Sequence, residues 1–574
     1  MARLFDEHKV RQVRSLDGAW KFSTDEENIG IDAEWSKALP SQDTVIVPSV
    51  WNTKWGLLEY EGACWYERSF YTDGGTLRFV FGAVMTEARV YLDGEEIGYH
   101  YGGFCQFEII ARDVKAGDHT LTLRVDNSFD AQSIPQATVD WYHYGGIIRP
   151  VTLETLKGIS ILSERVEYEL SDDLSALRAR FALELYNADN EARTDTVSAS
   201  VAGVNFSESI TLNPGECKEI FTEYKDIPEF ELWSQESPKL YDIKISTSTD
   251  DLTDRTGFRY VCVKDAKIFI NSKETLILGV NRHDEHPEFG FAFPTNLLGR
   301  DLDIALDLGC NSIRGSHYPN NPVFVDMLDE RGITFWSEIP IWGNGFSEEA
   351  LADEVVLARA EAMHREMVKH YYNHPSIIIW GMHNEIKSET QNAYEMTKRF
   401  CEILRREGGN RLITHASNNP MRDICFAFSD IICLNMYYGW YDQEKIGGAA
   451  DWEGFLENFR ARRAELGLDD KPVIFSEFGA AALYGYRDNF GRIRWSEEYQ
   501  SDILEHCLNL FYNDPMVAGF YVWQFCNIRT SLEGGRDRAR TFNNKGILDE
   551  YRNPKLAYFT VKKLYEQFAK EKQI

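Results

Sequence analysis

Residues 377–385 read IIIWGMHNE, an apolar run that stops abruptly at His383, Asn384 and Glu385. A strand apolar at consecutive positions must be covered on both faces, as in a parallel sheet wrapped by helices. Seven more runs share the pattern: TLILGVNRH (275–283), SIRGSH (312–317), TFWSEI (334–339), LITHAS (412–417), IICLNMYY (431–438), VIFSEFG (473–479) and GFYVWQF (519–525). Amphipathic stretches separate them, among them 353–372, 389–407 and 496–512. Eight such strands alternating with helices predict a closed (β/α)8 barrel over 264–574.

Upstream the rhythm differs. Short β-type runs such as TLRFVFGAV (76–84), EARVYLDGEEIG (87–98) and HTLTLRVDN (119–127), broken by Gly, Asp and Asn turns, predict a β-sandwich over 1–157. SALRARFALELYN (175–187), TDTVSASVAG (194–203) and LYDIKISTSTD (240–250) predict a second, immunoglobulin-like sandwich over 158–263. The chain is read as multidomain, which its 574 residues also require.

The bulk numbers exclude whole classes of function. A net charge of −30 supplies none of the clustered Lys and Arg that phosphate contacts need, so neither nucleic acid nor an anionic membrane is expected as a partner. The first twenty residues hold no signal-like apolar core and no later run is long enough to span a bilayer, so a cytoplasmic protein is expected. Ten cysteines without a CxxC pair, several in apolar runs (Cys262, Cys310, Cys433, Cys526), argue against disulfides and a zinc cluster. Aromatics make up 13% of residues, most of them expected in cores.

The predicted barrel strands run out into polar or charged residues such as Arg282 and His283, His317, Glu338, Asn384 and Glu385, Asn435 and Glu477. Barrel active sites sit on the rim formed by such ends. Glu385 and Glu477 cap the fourth and seventh strands and can face one another across the mouth. A single rim carboxylate could equally cap a helix or pair with an arginine; two of them suit glycoside hydrolysis, where one attacks the anomeric carbon and the other protonates the leaving oxygen, at about 5 to 5.5 Å when configuration is retained.

The segments NHPSIIIWGMHNE and VIFSEFGA resemble the acid/base and nucleophile segments of glycoside hydrolase family 2, and LDGAWKF, GVNRHDEHPEFG, SIRGSHYPNNP, LNMYYGWY and VWQF occur in that family's order. The resemblance spans almost the whole chain. It implies a jelly-roll, an immunoglobulin-like sandwich and a barrel, with Glu385 as general acid/base and Glu477 as nucleophile. It also implies that Asn384 bonds the sugar 2-hydroxyl and that Tyr437 orients the nucleophile, with Trp523, His283 and His317 at the pocket floor. Each of these can also be read as a satisfied packing residue.

Asn543 and Lys545 in RTFNNKGILDEYRNPK resemble the motif with which family 2 β-glucuronidases grip the C6 carboxylate; Asp140 in VDWYHYGGIIR and Tyr441 match pocket residues of the same enzymes. A lysine suits a uronate, whereas a neutral galactoside needs no cation. GVNRHDEHPEFG is closer to the β-galactosidase form of its motif. No segment matches the magnesium ligands of large β-galactosidases, so no metal and no cofactor are expected, and His283-x-x-His286 is read as a satisfied polar pair. The short acidic insertion WGNGFSEEALADE (342–354) suggests an open mouth. The expected reaction is exo-acting hydrolysis of terminal β-D-glucuronides with retention. A β-galacturonidase, a β-galactosidase and a non-catalytic carbohydrate-binding protein remain as alternatives, and the family's habits suggest a homo-oligomer, dimer or tetramer.

Overall fold

The computed structural model describes residues 3–40, 43–343, 345–441, 450–531, 535 and 538–572. Two antiparallel sheets make the first sandwich. Six strands run in the order Asp43–Val47, Gly18–Asp25, Ala63–Thr72, Gly117–Asp126, Glu87–Leu92 and Glu95–Tyr101; four run Gln12–Ser15, Val151–Leu156, Gly75–Phe81 and Phe107–Val114. Alternate residues turn inward, and Trp20, Phe22, Tyr66, Phe79, Phe81, Leu121 and Leu123 fill the space between the sheets. The second sandwich pairs Ile159–Leu170, Leu177–Asn187 and Cys217–Phe221 on one sheet, with Val204–Leu212, Arg193–Val201, Tyr241–Ser246 and Asp251–Thr256 on the other. Its core holds Ile161, Phe181, Leu185, Val197, Phe206 and Ile243.

Eight parallel strands then close into a barrel: β1 (Ile277–Arg282), β2 (Ser312–Gly315), β3 (Thr334–Glu338), β4 (Ile377–Asn384), β5 (Leu412–Ser417), β6 (Ile432–Asn435), β7 (Val473–Glu477) and β8 (Val517–Val522). All eight residues of β4 are buried, as the apolar run requires. Helices α1 (Thr295–Leu308), α2 (Pro322–Arg331), α3 (Glu354–Tyr371), α4 (Gln391–Glu407), α5 (Trp452–Glu465), α6 (Glu497–Asn513) and α7 (Leu556–Lys572) cover the outside. Their starts follow local chemistry: Asn321, Asp353, Thr390, Asp451 and Ser496 each accept a backbone N–H of the first turn of α2 to α6 in turn. Hairpin residues Val261, Ile268 and Ile270 plug the barrel's N-terminal end against Ile277, Ile378 and Ile474.

The barrel expected from the sequence is present, with several strand ends placed differently. β6 stops at Asn435 rather than 438, because Trp440 and Tyr441 donate their N–H to Tyr437 O in a tight turn that Gly439 closes at φ 85°. β8 begins at Val517 and ends at Val522, so Trp523 stands just beyond the sheet. The ten cysteines are free thiols. Among the described residues no helix is long and apolar enough to cross a membrane.

Candidate active site

The C-terminal rim of the barrel gathers the site, and the first sandwich closes one side of it. Trp141, Tyr142 and Tyr144 of that sandwich pack with Phe291, Tyr318 and Ile528 of the barrel in a shared apolar cluster. Trp141 meets both His283 and His317, at 5.8 and 5.6 Å between ring centroids.

At the centre lies Arg314, inside β2 and wholly buried. A guanidinium out of water must be surrounded by acceptors, and this one is: Glu338 takes a bidentate pair at 2.9 and 3.1 Å, Glu477 Oε1 accepts at 2.8 Å, Asn384 Oδ1 at 2.6 Å and Asn281 Oδ1 at 3.2 Å. Its carbon face lies over the Trp336 ring. Four strands are tied to one side chain.

Glu477 accepts a second bond, 2.7 Å from the Tyr437 hydroxyl. Burial pushes its pKa up to about 7, with Arg314 and Tyr437 pulling the other way. Both partners favour the carboxylate, so we take Glu477 as the anionic member of the pair. Glu385 stands across the mouth in a left-handed backbone conformation, φ 54°, which costs roughly 1 to 2 kcal/mol for a residue with a Cβ. Its N–H on Ala416 O at 2.9 Å anchors it there. Burial, then the charge of Glu477, pushes its carboxyl up to about 8, opposed by the Asn435 amide that donates at 2.7 Å. One proton on Glu385 and none on Glu477 is the state these environments favour.

Around the pair several buried polar atoms have no hydrogen-bond partner among the described residues: Asn384 Nδ2, His283 Nε2 and His317 Nε2, the last 3.8 Å from Glu477 Oε1. His317 Nδ1 bonds Glu338 Oε1 at 2.6 Å, and burial drives its pKa well below the usual range, so the ring is neutral with a bare Nε2. His283 is likewise neutral; its Nδ1 meets the Tyr318 hydroxyl at 3.2 Å. His286 does not pair with it but packs on Phe293 and accepts from Glu288 N, which corrects the expected polar pair: the intervening residues carry the two rings to different neighbours. Trp523 stacks on His317 at 5.2 Å. An unpaired buried polar atom costs about 1 to 3 kcal/mol, so a concentration of them marks a surface built for a ligand.

The remaining expected residues form a second group on the same rim. Lys545 Nζ donates to the Tyr441 hydroxyl at 2.6 Å, lies 5.5 Å from the Tyr437 ring centre, and forms no ion pair among the described residues. Asn543 Oδ1 accepts from Lys545 N at 3.2 Å, and Asn543 Nδ2 donates to Asp140 Oδ2 at 3.2 Å. Asp140 therefore reaches the barrel from the first sandwich, where Arg538 also holds it at 2.7 Å. The insertion at 342–354 sets Trp342 edge-on against Trp141; its residue 344 lies outside the described residues.

Four site residues carried no assigned role in the sequence reading. Glu338 and Asn435 stood among the polar strand ends; Arg314 and Arg538 did not. A charge in the middle of a buried strand was the available signal for Arg314.

Models of the family described as "Glycosyl hydrolases family 2" match all three regions: the TIM barrel domain over 261–570, the sugar binding domain over 13–157 and the family's own model over 159–259. Among solved structures, a GH2 β-galacturonidase from Eisenbergiella tayi bound to galacturonate is 33% identical, with TM-score 0.91 and 99% of each chain covered. A Ruminococcus gnavus β-glucuronidase is 26% identical, with TM-score 0.84, over 98% of this chain and 99% of its own. Among curated proteins, a β-glucuronidase of Streptococcus agalactiae is 26% identical over 95% of both chains, and the human β-glucuronidase 27% identical over 98% of this chain and 92% of its own.

Proposed function

The chain belongs to glycosyl hydrolase family 2 and is a glycoside hydrolase, and from that premise we propose that it removes terminal β-D-glucuronides with retention of configuration. Lys545 carries the substrate reading. Among the described residues this buried ammonium meets one phenol and no carboxylate, an arrangement that suits an anionic ligand such as the sugar C6 carboxylate. Asn543, Tyr441 and Asp140 complete this end of the pocket.

At the other end Glu477 attacks the anomeric carbon while Glu385 protonates the departing oxygen. Arg314 and Tyr437 keep the nucleophile charged and aimed. Once the glycosyl ester forms, Glu477 is neutral and the charge that raised Glu385 is gone. Glu385 then ionises more easily and takes a proton from the water that releases the sugar. Asn384 Nδ2 is free to bond the 2-hydroxyl, and His283, His317 and Trp523 form the floor.

A second reading, hydrolysis of β-D-galacturonides, is favoured by the higher identity to the β-galacturonidase structure, 33% against 26%. The same clamp serves both epimers. Initial rates on p-nitrophenyl β-D-glucuronide, β-D-galacturonide and β-D-galactoside test both: a uronide preference supports the clamp and names the epimer, and a galactoside preference refutes it. We further place the protein in the cytoplasm as a dimer or tetramer with its domains divided near 157 and 263; the free thiols suit a reducing compartment.

A further inference from the structure

Lys555 is completely buried at the start of α7, and its Nζ spends all three donors inside the protein. It donates to Ala482 O at 2.7 Å, Asn527 Oδ1 at 2.8 Å and Asn544 O at 2.9 Å. Ala482 belongs to the loop that leaves the nucleophile strand; Asn544 lies between Asn543 and Lys545. The same two loops meet directly through Ala482 N and Asn544 O, 3.1 Å apart. Gln500 repeats the connection, its Nε2 lying within 2.9 to 3.1 Å of Ala480 O, Lys545 O and Gly546 O.

We propose that Lys555 is a positioning residue for uronate binding, fixing the spacing between the nucleophile loop and the loop that carries Asn543 and Lys545. It touches no substrate. A charged donor shared among three acceptors is stiffer than three neutral contacts, and an error of about 1 Å in a binding group is enough to spoil a pre-arranged site. Glu497 secures the surroundings, accepting Gly485 N and Leu556 N at 2.7 Å each. Burial pulls the Lys555 ammonium down to about 7, opposed by the charges of Glu497, Glu550 and Asp549.

This inference rests on the uronate reading of Lys545, and the test separates the two. In the full-length protein, Lys555→Met and Gln500→Leu are compared with Lys545→Met for KM and kcat on the preferred aryl uronide, for competitive inhibition by the free uronic acid, and for melting temperature. Lys555→Met is expected to raise KM and the inhibition constant about tenfold, with kcat at saturation reduced less than about threefold, since binding and not chemistry is displaced. An equal fall in kcat and kcat/KM with the inhibition constant unchanged would overturn the positioning role, as would no change at all. If Lys555→Met does not fold, Gln500→Leu must show the same split in smaller measure, and its absence counts against the proposal. If Lys545→Met leaves uronic acid binding intact, the uronate reading itself fails.

Discussion

Arg314 Nη1 lies 2.8 Å from Glu477 Oε1, and neither group has appreciable contact with solvent. Breaking a buried pair by removing one partner typically costs about 3 to 5 kcal/mol. Arg314→Met should therefore lower kcat/KM by at least about a hundredfold. With the cation gone the Glu477 carboxyl rises further, so the acid limb of the pH–rate profile should move to higher pH. An acid limb that stays in place would detach Arg314 from the ionisation of Glu477.

Tyr437→Phe removes one hydrogen bond to the same carboxylate, 2.7 Å long, and leaves the ring. A bond to a charged acceptor is worth about 1.5 to 3 kcal/mol, so kcat should fall roughly 10- to 150-fold while the melting temperature changes little. Steady-state kinetics beside a thermal melt distinguish this from simple loss of fold.

Asn435 donates to the Glu385 carboxylate and so favours its charged form. Asn435→Ala should raise the Glu385 pKa. The alkaline limb, where the acid loses its proton, should shift upward. A downward shift would mean that the amide stabilises the protonated form.

Glu385 keeps its proton to about pH 8 in the folded chain against an ordinary value of 4.5, so between those limits the native state binds more protons than the unfolded one. Stability arising from this group is therefore lost as pH rises across that window. Glu385→Gln abolishes the titration. It should melt above the parent, by more at pH 8 than at pH 5, and a larger gain at pH 5 would contradict the sign.

How much of this was legible in the sequence varies by residue. The barrel strands were visible because burial on both faces leaves long apolar runs, and the polar stops at Asn384, Glu385 and Glu477 mark where those runs reach the rim. The clamp was legible only through resemblance, since NNKG alone reads as a turn. Arg314 hides inside SIRG, where flanking residues look like any strand and the acceptors come from four different strands. Lys555 is less legible still. In RNPKLAYF it is indistinguishable from a surface lysine before a helix, and only the folded loops reveal that it has no access to water.

The roles of Glu477 as nucleophile and Glu385 as acid/base can be checked by trapping the intermediate with a 2-deoxy-2-fluoro uronosyl fluoride and locating the added mass in a digest. One label per chain is expected, on the peptide containing Glu477, with turnover restored as the label is lost. A label on Glu385 or Glu338, or inactivation without any covalent adduct, would contradict those roles.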